Sequence, residues 1–243
     1  MPFTFCVSKK FHFGVSRNFT PGGFNLLGNG YKTISKKASA SFVEKKSEFI
    51  GYASPIKDED EARAFIAEIK KKHADATHNV YAYILQGTEI ARFSDDGEPS
   101  GTAGMPALEV LKREGLTGLC VVATRYFGGI LLGAGGLVRA YAKTAKVAID
   151  AAGICEFVPF TELEAVLEYS DYQRFLRDMP KLGVKCDSSD FGNDVTLHLA
   201  IERDRLSELT DYLTDSTDGR AIFEIRGERY DGKADAFQVK KEE

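Results

Sequence analysis

The sequence predicts an α+β protein that folds as two domains. Its 243 residues, 43% of them hydrophobic and 28% charged, have a globular composition and suffice for two cores. In the first half, strand and helix patterns alternate around glycine-rich turns, whereas the second half follows the order strand, helix, strand, strand, helix, strand. We predict an extension over residues 1–30, domains over 31–158 and 160–230, and a tail over 231–243.

The first domain opens with two strands, Ser39–Val43 and Ser47–Pro55, on either side of a charged turn at 44–46. Asp58 is suited to cap the next helix, because Glu61 follows it at the capping-box distance. That helix places four apolar side chains on one face, namely Ala62, Phe65, Ile66 and Ile69.

The rest of the first domain is predicted to be a hairpin, two helices and a buried strand. The patterns place these elements at His78–Gln86 with Thr88–Phe93, at Ala103–Lys112, at Ala134–Ala151 and at Gly118–Tyr126. Between the hairpin and the first of these helices, Ser94–Gly104 (SDDGEPSGTAG) is a loop rich in turn-forming residues.

The second domain has a simpler pattern. Gly153–Pro159 is predicted to close the first domain as a short strand or linker, so the boundary falls near Phe157–Thr161. The elements expected beyond it are the strand Thr161–Tyr169, the helix Asp171–Leu182 ended by Gly183, the strands Val184–Ser188 and Asp194–Ile201, the helix Arg203–Thr214 and the strand Ala221–Arg229. This βαββαβ order is the ferredoxin-like plan.

Charge is distributed unevenly along the chain. Residues 1–43 carry six Lys/Arg and no acid, whereas residues 160–243 carry 12 basic and 20 acidic residues. A basic face for nucleic acid therefore belongs in the first half. We interpret the basic start as a disordered tail, with an organellar transit peptide or a misplaced start as the alternatives.

The chain lacks the sequence features of a membrane or secreted protein. No apolar run approaches the roughly 18 residues of a membrane span, and the start has no long apolar segment of the secretory type. The four cysteines form no CxxC pair and are interpreted as free thiols; they are Cys6, Cys120, Cys155 and Cys186. We therefore expect a cytoplasmic protein without a membrane partner.

Three carboxylates, Asp95, Asp96 and Glu98, lie close together in the Ser94–Gly104 loop. Carboxylates at this spacing can bind a hard cation or shift one another's pKa, although the pattern is not that of an EF-hand. Alternatively, Asp95 and Asp96 accept hydrogen bonds from nearby backbone N–H groups, with Gly97 supplying a positive φ. We favour a structural or recognition role, and expect neither a metal nor a cofactor.

Glycines cluster between the strand at 118–126 and the helix at 134–151; they are Gly128, Gly129, Gly133, Gly135 and Gly136. Glycine lets backbone N–H groups face a ligand, and a helix start offers unpaired donors. An anion could bind here, with Arg125 or Arg139 as its counter-charge. Tight packing of the helix on the sheet explains the glycines equally well, and the segment is neither a GxGxxG nor a Walker motif.

Arg139, Lys143 and Lys146 are spaced to form a basic stripe along one face of the same helix. RNA phosphates or an acidic partner would suit such a stripe, although solvated charged faces are commoner.

His78 opens an apolar strand with Asn79 beside it, and a histidine there can act as acid, base or ligand. No nucleophile–histidine–acid arrangement follows from the spacings, and a lone histidine is more often structural. We expect the three segments to converge in one candidate binding surface. Its members are His78, Asn79, Ser94, Asp95, Asp96, Glu98, Ser100, Gly101, Thr102, Arg125, Tyr126, Gly128, Gly129, Gly135, Gly136 and Arg139.

Four stretches of the first domain resemble the YigZ/IMPACT family domain. They are FVEKKSEFIGYASP, HADATHNVYAY, SDDGEPSGTAGMPALEVL and VVATRYFGGILLGAGGLVRAYAKTA, and they follow the family's order between about Tyr31 and Ile154. The βαββαβ half is similar to the family's bacterial C-terminal domain. The resemblance implies a first domain like the second domain of a small-subunit ribosomal protein and domain IV of elongation factor G, a βα sandwich, and a second domain like domain V of that factor.

Those related domains act on the ribosome and on RNA. The resemblance therefore implies a non-enzymatic, translation-linked module that binds RNA, the ribosome or a translation-regulatory protein. Eukaryotic members regulate translation during amino-acid starvation with an additional RWD domain that this sequence does not show, so that mechanism is not transferred. The alternatives are a hydrolase-type enzyme, with a site at His78, the Asp95/Asp96/Glu98 loop and Arg125 near the glycine-rich turn, and an adaptor that uses the acidic second domain.

Overall fold

A computed structural model describes residues 28–233 of the chain. The predicted extension up to residue 27, with Cys6, and residues 234–243 of the predicted tail lie outside the described residues. The ten described strands are β1 (Tyr31–Ile34), β2 (Ala38–Glu44), β3 (Ser47–Pro55), β4 (His78–Ile84), β5 (Ala91–Ser94), β6 (Leu119–Tyr126), β7 (Ile154–Leu167), β8 (Lys185–Phe191), β9 (Val195–Glu202) and β10 (Ile222–Gly232). The five described α-helices are α1 (Glu59–Lys72), α2 (Gly104–Arg113), α3 (Ala134–Ala152), α4 (Tyr169–Leu182) and α5 (Leu206–Ser216).

The first sheet is antiparallel, in the order β2-β3-β6-β4-β5, and has helices on both faces. Side chains alternate across each strand, so neighbouring residues enter different cores. In β6, Val122 packs in the core under α1, whereas Val121 packs in the core shared with α2 and α3. The predicted N-cap is confirmed, because Asp58 Oδ1 accepts the Glu61 N–H at 2.8 Å.

The second sheet confirms the ferredoxin-like plan. Its strands β10-β7-β9-β8 pair antiparallel, and α4 and α5 pack on one face of them. The core between sheet and helices contains Leu163, Phe175, Leu197, Leu209 and Leu213. Helix α4 ends at Gly183, whose φ of 66° is the left-handed conformation expected of a C-terminal glycine.

Two elements differ from the sequence prediction. Of the two alternatives for 153–159, the strand is confirmed and the linker is wrong, and the separate strand at 161–169 is also wrong, because β7 runs unbroken from Ile154 to Leu167. On one edge, β7 pairs first with β1 and then with β9, and Pro159 falls in the gap between these partners. A residue without an N–H is tolerated there, since no ladder partner is required on that edge. The strand β1 was not predicted, and it ties the start of the first domain to the second sheet.

The turn between β2 and β3 holds two lysines in an unusual backbone conformation. Glu44 pairs with Ser47, which leaves Lys45 and Lys46 as a two-residue loop with φ values of 47° and 65°. Positive φ at both positions matches the type I′ turn that suits antiparallel strands, where Asn-Gly is the usual sequence. Lysine at these positions is unfavourable, because its Cβ crowds the backbone in the left-handed region.

The prediction of free thiols is confirmed for the cysteines in the described part of the chain. Cys120 and Cys155 are buried, and Cys186 is partly exposed. Burial raises the pKa of the Cys120 and Cys155 thiols, so both are unreactive neutral side chains.

Candidate functional site

A buried ion pair joins the acidic loop to the first sheet. Arg125 Nη1 lies 2.6 Å from Glu98 Oε1, and the exposed fractions of the two side chains are 6% and 4%. Tyr141, in α3, donates its hydroxyl to the same carboxylate oxygen at 2.7 Å. Burial and this hydrogen bond raise the pKa of Tyr141, which keeps the phenol neutral and donating.

The guanidinium of Arg125 is enclosed by aromatic rings and polar groups. Its central carbon lies 5.5 Å from the centre of the Phe49 ring and 5.4 Å from that of Phe127. Its Nη2 reaches the Ser47 hydroxyl at 3.4 Å, while its Nε has no hydrogen-bond partner among the described residues. Arg125 is therefore committed to the interior of the domain and is not available as a counter-charge at the glycine-rich turn.

His78 lies at the edge of this cluster, with 19% of its side chain exposed. Its Nδ1 is 2.8 Å from the carbonyl oxygen of Asp96, which can only accept, so Nδ1 carries the hydrogen. The other ring nitrogen, Nε2, lies 3.8 Å from Glu98 Oε1.

Asp95 organises the loop and the start of α2. Its carboxylate accepts backbone N–H groups from Gly101 at 2.9 Å, Ala103 at 3.1 Å and Gly104 at 2.8 Å. The helix has no capping side chain of its own, since Ala103 stands at its N-cap. Asp95 therefore acts as a remote cap from the preceding loop, as the structural interpretation of this loop predicts.

Asp96 links the loop to α1 and β4. Its Oδ1 accepts Lys70 Nζ at 2.6 Å, and its Oδ2 accepts the Asn79 N–H at 2.7 Å. The Asn79 side chain is buried and bonds Thr124 at 2.8 Å. Positive φ values at Asp96 (48°) and Gly97 (89°) allow the chain to turn between these contacts.

A second histidine forms a polar chain beside the site. Tyr126 donates its hydroxyl to Asp75 at 3.0 Å, so the 2.9 Å contact between Tyr126 and His73 Nδ1 is a donation from the ring. The other ring nitrogen of His73 then accepts the Tyr52 hydroxyl at 2.6 Å. Burial, followed by the charge of Lys72, lowers the pKa of His73.

In the glycine-rich turn, Gly128 permits close packing, whereas Gly129 and Gly133 lie in open space. A Cβ on Gly128 would lie 1.9 Å from the Lys46 carbonyl oxygen, so this glycine allows the turn to pack against the β2–β3 hairpin. Gly129 and Gly133 have positive φ and open space around them. Gly135 and Gly136 lie in the first turn of α3, where Gly133 at the N-cap offers no side-chain cap.

Of the three residues in the predicted basic stripe, Lys146 is paired with carboxylates in the described part of the chain, whereas Arg139 and Lys143 are not. Lys146 pairs with Glu114 at 3.2 Å and with Asp150 at 2.8 Å, and the hydrogen bond to Asp150 is the main cause of its raised pKa. Arg139 and Lys143 are exposed and make no ion pair within residues 28–233. Lys143 Nζ lies 4.2 Å from the centre of the Phe42 ring.

The predicted site residues therefore differ in burial, some lying beneath the loop and the others at the surface. Four of them are buried and support the loop from beneath, namely Asn79, Glu98, Thr102 and Arg125. The exposed members are Ser100, Gly101, Gly129, Gly135 and Arg139, and the partly exposed ones are His78, Ser94, Asp95, Asp96, Tyr126, Gly128 and Gly136. Arg139 makes no hydrogen bond or ion pair with Glu98 or Arg125.

Sequence reasoning missed three members of the cluster. They are Tyr141, Ser47 and Lys70, none of which was among the predicted site residues. The i+4 spacing of the apolar Leu137 and Tyr141 puts the tyrosine on the buried face, where a hydroxyl requires a partner. That requirement was the available signal.

Two features of the described residues bear on other classes of function. Among residues 28–233, no cluster of three or more His, Cys, Asp or Glu side chains is arranged to hold a metal ion. None of the described helices has the length and apolar character needed to cross a membrane.

Comparison with known families identifies both parts of the chain. Residues 45–149 match the family model of the Impact N-terminal domain, and residues 166–220 match a domain of unknown function (DUF1949). The chain is thus a protein with an Impact N-terminal domain followed by this second domain.

Similar proteins align with most of this chain. The chain is 35% identical to the IMPACT family member YvyE of Bacillus subtilis (strain 168) over 194 residues, which are 79% of this chain and 89% of the relative. It is 33% identical to the IMPACT family member YigZ of Escherichia coli (strain K12) over 178 residues, or 72% and 87% of the two chains. A crystal structure of a hypothetical protein aligns with a TM-score of 0.52 at 30% identity, covering 81% of this chain and 97% of that chain. The chain belongs to the IMPACT family.

Proposed function

We propose that this protein is a non-enzymatic, translation-linked module that binds RNA or the ribosome through its first domain. The observation that carries the proposal is the exposure of Arg139 and Lys143 on the first turns of α3, without a carboxylate partner in the described part of the chain. Unpaired cations on one helix face attract phosphates, because they release condensed counterions from the nucleic acid.

The state of the acidic loop supports binding rather than catalysis. Its three carboxylates already accept hydrogen bonds from the protein, since Asp95 holds backbone N–H groups, Asp96 holds Lys70 and Glu98 holds Arg125 and Tyr141. The loop is therefore a rigid support for the neighbouring surface. The sequence resemblance to domains that act on the ribosome agrees with this role.

The test is filter binding of total cellular RNA at several salt concentrations, together with co-sedimentation with ribosomes. We expect retention at low salt that declines as salt rises. The double variant Arg139→Gln/Lys143→Gln should lose most of this binding. The charge-matched control Lys112→Gln/Lys181→Gln, which removes two lysines held in surface ion pairs, should retain it. Absence of both retention and co-sedimentation for the native chain would refute the proposal.

The second candidate is a hydrolase-type enzyme, favoured by one observation. His78 is partly exposed and lies beside the buried Glu98–Arg125 pair, the position that a general base of such a site would need. Assays with p-nitrophenyl phosphate, bis(p-nitrophenyl) phosphate and p-nitrophenyl acetate separate the candidates. Turnover that disappears in His78→Ala favours the enzyme, whereas background rates favour the binding module.

A further inference from the structure

A groove of about 220 Å³ lies between the β2–β3 hairpin and the first turns of α3. The hairpin contributes Phe42, Glu44 and Lys45 to its lining, and α3 with the turn before it contributes Leu132, Gly136, Arg139, Ala140 and Lys143. The groove is separate from the buried Glu98–Arg125 pair, and its hairpin wall was not among the predicted site residues.

The charges around this groove are unbalanced. Lys45, Arg139 and Lys143 are exposed cations without an ion pair among the described residues, and Glu44 is the one carboxylate in the groove's lining. The lysine and arginine side chains come from two opposite walls, the hairpin and the helix. A ligand between these walls would meet positive charge on both sides.

The floor of the groove is apolar and ordered. Phe42 stacks on Phe49 with ring centres 5.4 Å apart and an interplanar angle of 10°, and Leu132 and Ala140 are buried. Lys143 lies over the Phe42 ring, which holds its ammonium at the rim. Such a floor suits the apolar side of the sugar of a nucleotide whose phosphate contacts the rim.

The hairpin turn supplies a second, independent indication. Lys45 and Lys46 occupy the two left-handed positions at which Asn-Gly is the favourable choice. Lysine at these two positions introduces local strain, and strained residues concentrate at functional positions. The turn is also clamped from below, because Gly128 packs against the Lys46 carbonyl.

We infer that this groove binds the sugar–phosphate backbone of single-stranded RNA, with Lys45 on one wall and Arg139 and Lys143 on the other. The inference rests on the proposed function and gives it a location and a ligand. A single strand suits the groove because its flexible sugar–phosphate backbone can enter a narrow cleft, whereas a rigid duplex would remain outside it.

The experiment measures fluorescence anisotropy of a fluorescein-labelled 12-mer of oligouridylate with the full chain over a range of KCl concentrations. Lys45→Gln and Lys143→Gln should each weaken binding about 3-fold to 10-fold and reduce the salt slope by about 1. Glu44→Gln should strengthen binding about 2-fold to 5-fold, because it removes the carboxylate from the groove. Lys181→Gln, a matched charge change on α4 of the second domain, should stay within about 2-fold.

One further variant separates binding from folding. Lys45→Asn combined with Lys46→Gly should raise the melting temperature, because the turn receives its preferred sequence, and should still weaken oligouridylate binding. A loss of affinity with a gain of stability cannot result from misfolding.

The outcomes distinguish this inference from the proposed function. If the native chain binds oligouridylate but the Lys45, Lys143 and Glu44 variants bind like Lys181→Gln, the groove is not the site and the function stands. If the chain co-sediments with ribosomes without binding oligouridylate, the inference is likewise overturned. If neither assay detects binding, both proposals are wrong.

Discussion

Arg125 and Glu98, 27 positions apart in the chain, form an ion pair of 2.6 Å between β6 and the acidic loop. Tyr141 completes the contact from α3, so one carboxylate oxygen joins the sheet, the loop and the helix. An unpaired charge at this depth would be costly, because water cannot replace the missing partner. The pair therefore holds the loop in one position against the helix that carries the proposed binding surface.

Removal of one partner of this pair should destabilise the fold strongly. We expect Glu98→Ala to lower the free energy of unfolding by about 3–5 kcal/mol, since it leaves the Arg125 guanidinium buried without its counter-charge. Urea denaturation followed by circular dichroism measures this. Glu109→Gln, in a surface pair with Lys112, is the control and should change stability by less than about 0.5 kcal/mol. Equal effects of the two variants would show that the buried pair is not structural.

Replacing two glycines of the same region with alanine should change the free energy of unfolding in opposite directions. Gly128→Ala places a Cβ 1.9 Å from a backbone oxygen, so the turn must shift and we expect a loss of about 2 kcal/mol or more. Gly135→Ala meets only the Arg139 side chain, at 3.9 Å, inside a helix, and should add about 0.5–1 kcal/mol. Thermal unfolding of the two variants measures the difference, and a stabilised Gly128→Ala would contradict the packing described here.

The remote cap on α2 gives a third prediction. Asp95→Ala removes the acceptor of three backbone N–H groups, two of them at the start of the helix, and should cost about 1–3 kcal/mol. Asp60→Ala, at an exposed position in the first turn of α1, is the matched control. Hydrogen exchange should accelerate at Ala103 and Gly104 in the Asp95 variant alone. Unchanged protection at these amides would mean that Asp95 does not cap the helix.

The lowered pKa of His73 predicts a dependence of stability on pH. Its ordinary value is 6.5, and burial lowers it in the folded protein. Between the lowered value and 6.5 the unfolded chain binds more protons, so the free energy of unfolding falls as the pH drops through this window. Above 6.5 both states have a neutral ring and this contribution is constant.

NMR titration of the His73 ring should give a midpoint below 6.5. The variant His73→Gln should flatten the fall in melting temperature on the acidic side, because glutamine does not titrate. A midpoint at or above 6.5 in the native protein would contradict the buried tyrosine–histidine chain.

Local patterns in the sequence predicted most elements correctly. The spacing of Asp58 and Glu61 predicted the start of α1, and the βαββαβ order of the second half predicted the ferredoxin-like sheet. Each single helix or strand depends on residues within one or two turns of each other, so the local sequence contains the information that predicts it. The missed strand β1 has four residues and acquires its partner from β7, more than 100 positions away.

For the candidate site, too, some features followed from the sequence and others only from the tertiary structure. The sequence alone determined the family, the carboxylate-rich loop, the glycine-rich turn and the cations of α3, because each is a property of contiguous residues. Only the tertiary structure decided that Glu98 is buried against Arg125 and Tyr141, that Lys146 is neutralised by Glu114 and Asp150, and that Lys45 faces α3 across a groove. Those outcomes depend on which side chains meet when sheet and helices pack, and packing brings together residues whose separation in the chain carries no local signal.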